Sequence, residues 1–445
     1  MSWRQLTLAG WGRSTRSACL AARPERQGDL RRALAGAGGD GVIAHGAGRS
    51  YGDCALATGG RTVMTVRLDR MLAFDDATGV LVAEPGVTFA DLLEVFLPRG
   101  WLAPVSPGTA FVTLGGALAN DVHGKNQETA GSFGDHVLWF DLLLPSGATV
   151  RVDPDAEPDL FRATVAGIGL TGLVTALALR LKRVPGNGFA LRERRIADLD
   201  GFLRAFAERG EDDYSVGWID GLATGAALGR GILETARPAE ARLDGKPVRA
   251  KRIPIDFPGV ALNSWSVRAF NAWYWRRVPT GGRERMVSAG RFLYPLDALH
   301  DWNRIYGKRG FHQFQAVLPL ETGEAGLRRL LETVARTGSA SFLAVLKAMG
   351  RSGRGFLSFP MPGYTLALDF PNKPGAAELL AELERLTLDH GGRIYLAKDS
   401  LLSRAGFERM YPQHARFKEV LATVDPDGVM ASDMARRLGL REVRP

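Results

Sequence analysis

Gly167, Gly169 and Gly172 in GIGLTG spell the GxGxxG of a dinucleotide-binding Rossmann turn, yet the surrounding residues argue against that fold. Helix-like DLFRATVA precedes the turn and strand-like TALALRL follows it. This reverses the strand, turn, helix order that aims a pyrophosphate at a helix N-terminus. No acidic residue stands in a strand-end context about 20 positions on. What remains is a turn whose bare backbone can lie against a flat group.

Two further glycine segments precede it. In HGAGRSYGD, His45 to Asp53, three glycines follow an apolar strand beginning at Val42, so successive amides can point at one anion. In PGTAFVTLGGALAN, Pro107 to Asn120, Thr113 is placed to cap a helix whose first turn holds Gly115 and Gly116, leaving amides and the positive end of the dipole uncovered. Each loop suits a phosphate. Two such loops about 60 residues apart suit a dinucleotide gripped from both sides.

The chain has 445 residues, 45% hydrophobic and 24% charged, enough for two domains with substantial cores. Its two cysteines, Cys19 and Cys54, give neither a disulfide framework nor zinc spacing, so no metal is expected and a reducing compartment is the simpler reading. The longest apolar run, Gly169 to Leu179, is too short to span a bilayer, and the N-terminus lacks a signal-peptide core. A cytoplasmic protein is expected, with peripheral contact at the inner membrane face left open. The net charge of +9 is spread along the chain with no nucleic-acid-binding signature, so nucleic acid is not an expected partner.

Up to about residue 184 the pattern is mixed α+β. RTVMTVRLDRM and GVLVAEPG read as strands, and Thr88 with Asp91 opens a helix whose Phe89, Leu92, Leu93 and Phe96 share a face. HVLWFDLLLPSGATVRV reads as a hairpin turned at Pro145-Ser146-Gly147. After a break at VPGNG, helices such as DLDGFLRAFAERG alternate with strands such as YSVGWIDGL and FHQFQAVLPLE, as in an antiparallel sheet backed by helices. Residues 235 to 262, rich in Pro, Gly and basic residues, read as a long mobile loop.

GAGRSYGD, PGT with VTLGGALA, VHGKN, GSFGDHV and GIGLTGLV together resemble the FAD-binding half of the vanillyl-alcohol-oxidase-type flavoproteins. The segments LYPLDALHDWNRIYGKRGFHQFQAVLP, SFLAVLKAMG, LSFPMPGY, GGRIYLAKDS and DPDGVMASDMARRL are similar to the decaprenylphosphoryl-β-D-ribose oxidase family, oxidising partners of a 2′-epimerase. The resemblance covers residues 5 to 442 and implies a two-domain α+β fold. A PCMH-type FAD-binding domain would span residues 1–186, an antiparallel-sheet substrate domain 187–420, and a segment returning to the FAD domain 421–445.

The implied reaction is oxidation of the 2-hydroxyl of a polyprenyl-phosphoryl-β-D-ribose to a keto sugar, which a separate NAD(P)H-dependent keto-reductase would then reduce. The alternative is oxidation of free sugars, alditols or aldonolactones. Flavin contacts would come from Gly46, Ala47, Gly48, Arg49, Ser50, Tyr51 and Gly52, then Pro107, Gly108, Thr109, Thr113, Gly115, Gly116 and Asn120, and from His123, Gly124, Asn126, Gly172 and Val174. Related oxidases often tether FAD through a histidine in the first loop. The turn here is Arg49-Ser50-Tyr51-Gly52, which favours a non-covalent flavin, with His45 as the alternative tether.

The oxidation needs a hydride acceptor, a group that receives the hydroxyl proton, and donors that fix the substrate. His123 can accept or relay a proton, and Lys398 in YLAKDS can bind the flavin's pyrimidine edge, the substrate oxygen or its phosphate. Tyr51 completes the catalytic candidates. Gln313 and Gln315 share one strand face and, with Lys347, Thr365, Lys125 and Trp218, would line the sugar pocket. In FNAWYWRR, Phe270 to Arg277, aromatics adjoin arginines in a pattern suited to a membrane surface or to core packing with a basic edge. The sequence departs from the mycobacterial pattern of this family at Ala367, Thr365 and Leu293, where cysteine, asparagine and tyrosine are expected.

Overall fold

The computed structural model describes residues 2–35, 40–208, 210–243, 250–259, 262–339 and 342–442. Among them, the first 180 residues build two small sheets. Arg4–Ala9, Arg16–Ala22, Arg61–Met64 and Val42–His45 lie side by side in that order, the last three mutually parallel. Met71–Asp75, Val80–Ala83, Leu173–Arg180, Val137–Leu143 and Thr149–Val152 form an antiparallel second sheet.

Local sequence chemistry sets these elements. Thr88 and Asp91 cap the helix Phe89–Phe96 reciprocally, and Phe89, Leu92 and Phe96 face inward. Gly147 N–H donates to Leu144 O to close the hairpin. The segment RTVMTVRLDRM is a strand only over Arg61–Met64, because the chain then tightens into a short 3₁₀ turn at Thr65–Arg67.

From Gly188 onward the chain builds one antiparallel sheet of eight strands: Arg283–Ser288, Gly188–Ile196, Gly231–Ala239, Tyr214–Ile219, Ala344–Met349, Gly363–Pro371, Phe311–Pro319 and Arg393–Ile394. Side chains alternate across it. Phe314, Ala316, Leu318, Leu346, Leu366 and Leu368 join the core beneath the helices Leu320–Thr337 and Ala376–Asp389. Gln313 and Gln315 turn to the other face, toward the N-terminal half, and are buried there too. That second covering is why a strand with polar residues at alternate positions is buried along nearly its whole length.

The expected loop over residues 235 to 262 is partly strand. Thr235 to Ala239 complete Gly231–Ala239, and Lys251–Arg252 pairs with Leu299–His300. The β-branched and alternating residues up to Ala239 outweigh the Pro and Gly content that suggested a loop. Residues 244–249, 260 and 261 of that stretch lie outside the described residues.

The C-terminal segment returns to the first half. The helix His414–Val424 packs on Pro158–Thr164, Arg416 pairs with Asp159, and Met430 bridges Val42. Asp433 N–H donates to Leu56 O, and Thr58 donates to the Asp433 carboxylate.

The two faces of one strand separate stability from chemistry. Phe314→Ala should cost about 3 kcal/mol of stability through the lost burial and residual cavity, read as a lower urea midpoint at unchanged m. Gln315→Leu, on the opposite face, should shift that midpoint by less than half as much.

Candidate flavin and substrate site

The glycine loops, the GIGLTG turn and the inner face of the large sheet enclose a cavity of about 340 Å³. Gly46 to Gly52 form one rim, with Pro107 to Thr109 and Thr113 to Asn120 opposite, and Gly172 to Val174 on the floor. Among the described residues, Ala47, Gly48, Arg49 and Ser50 donate no backbone–backbone hydrogen bond, and a Cβ on Gly108 would meet only open space. Asn120 Oδ1 and Arg49 Nε are buried without partners beside this space. Buried polar atoms ordinarily find partners, so these orphans call for a ligand with donors and acceptors along its length.

The second loop works differently from its sequence reading. Gly115 N–H already donates to Pro85 O, and Gly116 N–H to Thr113 Oγ1, at 2.8 and 3.2 Å. Their amides are satisfied inside the protein. The glycines serve approach instead, since a Cβ on Gly115 would fall 2.7 Å from Pro85 Cβ, and one on Gly46 would fall 2.5 Å from Thr113 Oγ1. Free amides therefore come mainly from the first loop. In the floor turn, Ile168 holds φ of 47°, which is costly for a β-branched residue and is retained where the backbone meets the cavity.

His45 also faces this space, but its Nδ1 lies 3.1 Å from Ala55 O, bracing the loop from behind.

The polar wall comes from the large sheet. Gln315 is the cross-strand partner of Ala367, Ala367 of Val345, and Lys347 of Thr365, so these side chains share one face. Lys347 Nζ and Gln315 Nε2 each lie 3.1 Å from a ring nitrogen of His123, on Nδ1 and Nε2 respectively. Burial and the Lys347 and Lys398 charges hold the His123 pKa well below the ordinary imidazole value. Both ring nitrogens face a nitrogen of a neighbouring side chain, which disfavours the doubly protonated ring in the same direction.

Burial drops Lys347 to about 7, with Lys398 and Lys125 adding repulsion. Lys398 Nζ rests 3.9 Å above the Tyr51 ring, and burial lowers its pKa to about 8 against the opposing pull of Asp369. Asp369 itself is raised to about 7 by burial, despite accepting from Gln313 Nε2 at 2.5 Å and Tyr306 Oη at 3.0 Å.

The sequence candidates thus separate into groups. His123, Tyr51, Gln313, Gln315, Lys347 and Lys398 converge on the cavity, with Thr365 behind them, 3.3 Å from Gln315 Nε2. Lys125 diverges, because the chain turns at Lys125 and Asn126 and breaks the alternation that would have aligned it with His123. Its Nζ donates to Phe292 O and lies 4.0 Å from Glu234. Asn126 Nδ2 braces Pro104 O, and Gly124 O faces Lys347 Nζ at 3.4 Å, so both support the wall from outside the cavity. Trp218 pairs with Val345 one strand beyond the wall; its Nε1 donates to Phe342 O and its ring lies 4.7 Å from Tyr274.

Asp369 escaped the sequence reading, although a signal was present. It stands two residues beyond Ala367 and four beyond Thr365, on the same face of the same strand. Tyr395, within YLAKDS, was also missed; its hydroxyl donates to Asn120 O at 2.9 Å and ties the lysine segment to the second loop.

Comparison with known proteins bears on this cavity. The FAD binding domain family matches residues 19–153, and the D-arabinono-1,4-lactone oxidase family matches residues 368–438. The decaprenylphosphoryl-β-D-ribose oxidase of Mycolicibacterium smegmatis is 36% identical, over 97% of both chains. An uncharacterized Streptomyces coelicolor protein is 35% identical over 80% of this chain and 100% of its own, and a D-lactate dehydrogenase of Anaerostipes hadrus is 25% identical over 30% of this chain.

Close packing of the first loop gives a direct test of cofactor retention. A Cβ on Gly52 would fall 1.8 Å from Asp399 O, a backbone atom that cannot rotate away. Gly52→Ala should therefore displace the loop and weaken FAD binding by at least about tenfold, measured by flavin fluorescence during titration of the apoprotein.

Proposed function

The chain belongs to the decaprenylphosphoryl-β-D-ribose oxidase family of FAD-dependent oxidoreductases, and from that premise we propose that it oxidises the 2-hydroxyl of a polyprenyl-phosphoryl-β-D-ribose to the 2-keto sugar. The supporting observation is the wall of buried amines and amides facing the free amides of the first glycine loop. Bound FAD, held without a covalent tether, supplies the hydride acceptor.

The chain's own residues do the rest. Gln313 and Gln315 offer amide groups to the sugar hydroxyls, and Asp369 orients Gln313. His123, neutral and wedged between Gln315 and Lys347, fixes the second glutamine and the second lysine as one unit. Lys398 accepts the hydroxyl proton as a neutral amine. With its pKa near 8 rather than 10.5, a useful fraction is neutral at working pH. The keto product requires a separate NAD(P)H-dependent reductase to complete an epimerisation. The 2-keto sugar would then become the arabinose donor for cell-envelope glycans.

A lipid-linked substrate also needs a route from the membrane. No helix among the described residues is long and apolar enough to cross one. The helix Ser264–Arg276 instead exposes Trp265 and Trp273, 83% and 65% accessible, with the exposed basic Arg276 in its last turn. Phe270 of this helix packs 5.4 Å from Phe342, whose neighbour Leu343 lines the cavity. This face suits peripheral attachment to anionic lipid.

The second reading, oxidation of a free sugar or aldonolactone, draws on the match of residues 368–438 to the lactone oxidase family and on Ala367 in the wall. An anaerobic screen separates the two. Flavin bleaching by polyprenyl-phosphoryl ribose and none by free pentoses or aldonolactones supports the lipid-linked substrate; the reverse pattern removes it.

Two further outcomes are expected. Lys398 must lose a proton to act, so the limiting rate of flavin reduction should climb with pH through about 8 and level off above it. Lys398→Ala should abolish that limb and slow reduction by about 10²-fold or more with FAD still bound. The double change Trp265→Ser and Trp273→Ser should reduce sedimentation with phosphatidylglycerol vesicles and raise KM for the long-chain substrate. Turnover of a short, water-soluble analogue should be unchanged.

A further inference from the structure

Arg437 lies in the short C-terminal helix Asp433–Arg437, yet its guanidinium reaches two loops that both face the cavity. Its Nε and Nη2 hold the Asp53 carboxylate at 3.0 and 2.8 Å, while Nη2 also contacts Asp399 Oδ2 at 2.9 Å. Nη1 donates to Leu402 O at 2.6 Å. Asp53 stands two residues after Tyr51, and Asp399 follows Lys398 directly.

The same two loops are stitched by backbone between those points. Tyr51 N–H donates to Ala397 O at 3.0 Å, and Gly52 packs so tightly on Asp399 O that no side chain fits between them. Asp399 Oδ1 in turn accepts the amides of Leu401 and Leu402 at 2.8 and 2.7 Å, fixing the turn after the lysine. The Lys398 ammonium over the Tyr51 ring is thus held from both sides. Without Arg437, two nearly dry carboxylates would face each other, each short of a counter-charge, and the loops would be driven apart.

We infer that Arg437 is a positioning residue: by clamping Asp53 and Asp399 together it sets the contact between Lys398 and Tyr51 on which proton removal from the substrate depends. The inference rests on the role given above to Lys398, but its geometry does not. The clamp joins the C-terminal return to both cavity loops, so the last part of the chain helps complete a site whose other residues lie far earlier. A purely structural clamp would change unfolding alone; a positioning clamp also changes the environment of the lysine.

The test uses full-length Arg437→Lys, which keeps a cation but cannot bridge both carboxylates in the same plane. The amine of Lys398 is probed in the apoprotein by trace acetic anhydride labelling from pH 6 to 10, with mass-spectrometric readout of that peptide. In the wild-type chain labelling should reach half its plateau near pH 8. In the variant the midpoint should move toward the ordinary lysine value, with at least about threefold less labelling at pH 8.

The FAD-loaded variant should bind FAD within about threefold of wild type and show a limiting reduction rate lower by about tenfold, with substrate affinity little changed. Should Arg437→Lys fail to fold, Asp399→Asn serves, because its amide oxygen can still cap Leu401 and Leu402 while the charge facing Arg437 is gone. Unchanged Lys398 labelling and reduction rate in a folded variant of either kind would overturn the inference, even with a lowered melting temperature. Loss of turnover in Lys398→Ala is independent of this labelling, so a failure of the lysine's proposed role is told apart from a failure of the clamp.

Discussion

A lysine ammonium buried against a tyrosine ring is the contact around which the rest of this structure is arranged. Lys398 sits 3.9 Å over Tyr51 with its carboxylate neighbour Asp369 close enough to favour the charge, and burial pulls the other way strongly enough to bring the pKa to about 8. Such a group is unfavourable to bury unless its surroundings are fixed. The surroundings are fixed by three stretches far apart in sequence: the first glycine loop, the YLAKDS turn and the C-terminal helix that carries Arg437.

The second lysine shows the same physics in another form. Lys347 meets His123 instead of a carboxylate, so nothing offsets desolvation and its pKa falls further, to about 7. Two amines whose pKa values fall to about 7 and about 8 in one cavity, beside an imidazole held well below its ordinary value, give the wall a capacity to take up a proton. The large antiparallel sheet is what makes this possible. Its helix-facing residues are apolar and bear the stability, which leaves the opposite face free to carry Gln313, Gln315, Lys347 and Asp369.

Much of the site is legible in the order of residues. The glycine loops announce close backbone approach, and alternation along FHQFQAV puts both glutamines on one face whatever the partner strands are. The reversed GxGxxG correctly excludes a Rossmann turn, with Pro158–Thr164 before it and Leu173–Arg180 after. Misplacements came where a local rule met a competing partner. Gly115 and Gly116 were expected to offer amides, but Pro85 O and Thr113 Oγ1 already take them. Lys125 was expected in the sugar pocket, but the chain turns after His123 and Phe292 O receives its ammonium.

By itself the sequence determined the backbone: where glycine permits a close turn, where alternation selects a face, where Thr88 and Asp91 start a helix, and which motifs carry the resemblance to FAD-dependent oxidases. Those are short-range properties, settled by sterics and hydrogen bonds within a few residues. Only the tertiary structure decided which amines have their pKa lowered by burial, that Asp369 acts on Lys398, and that Arg437 joins Asp53 to Asp399. Those depend on exclusion of water and on charges brought together from distant parts of the chain, and neither is encoded in any single stretch of it.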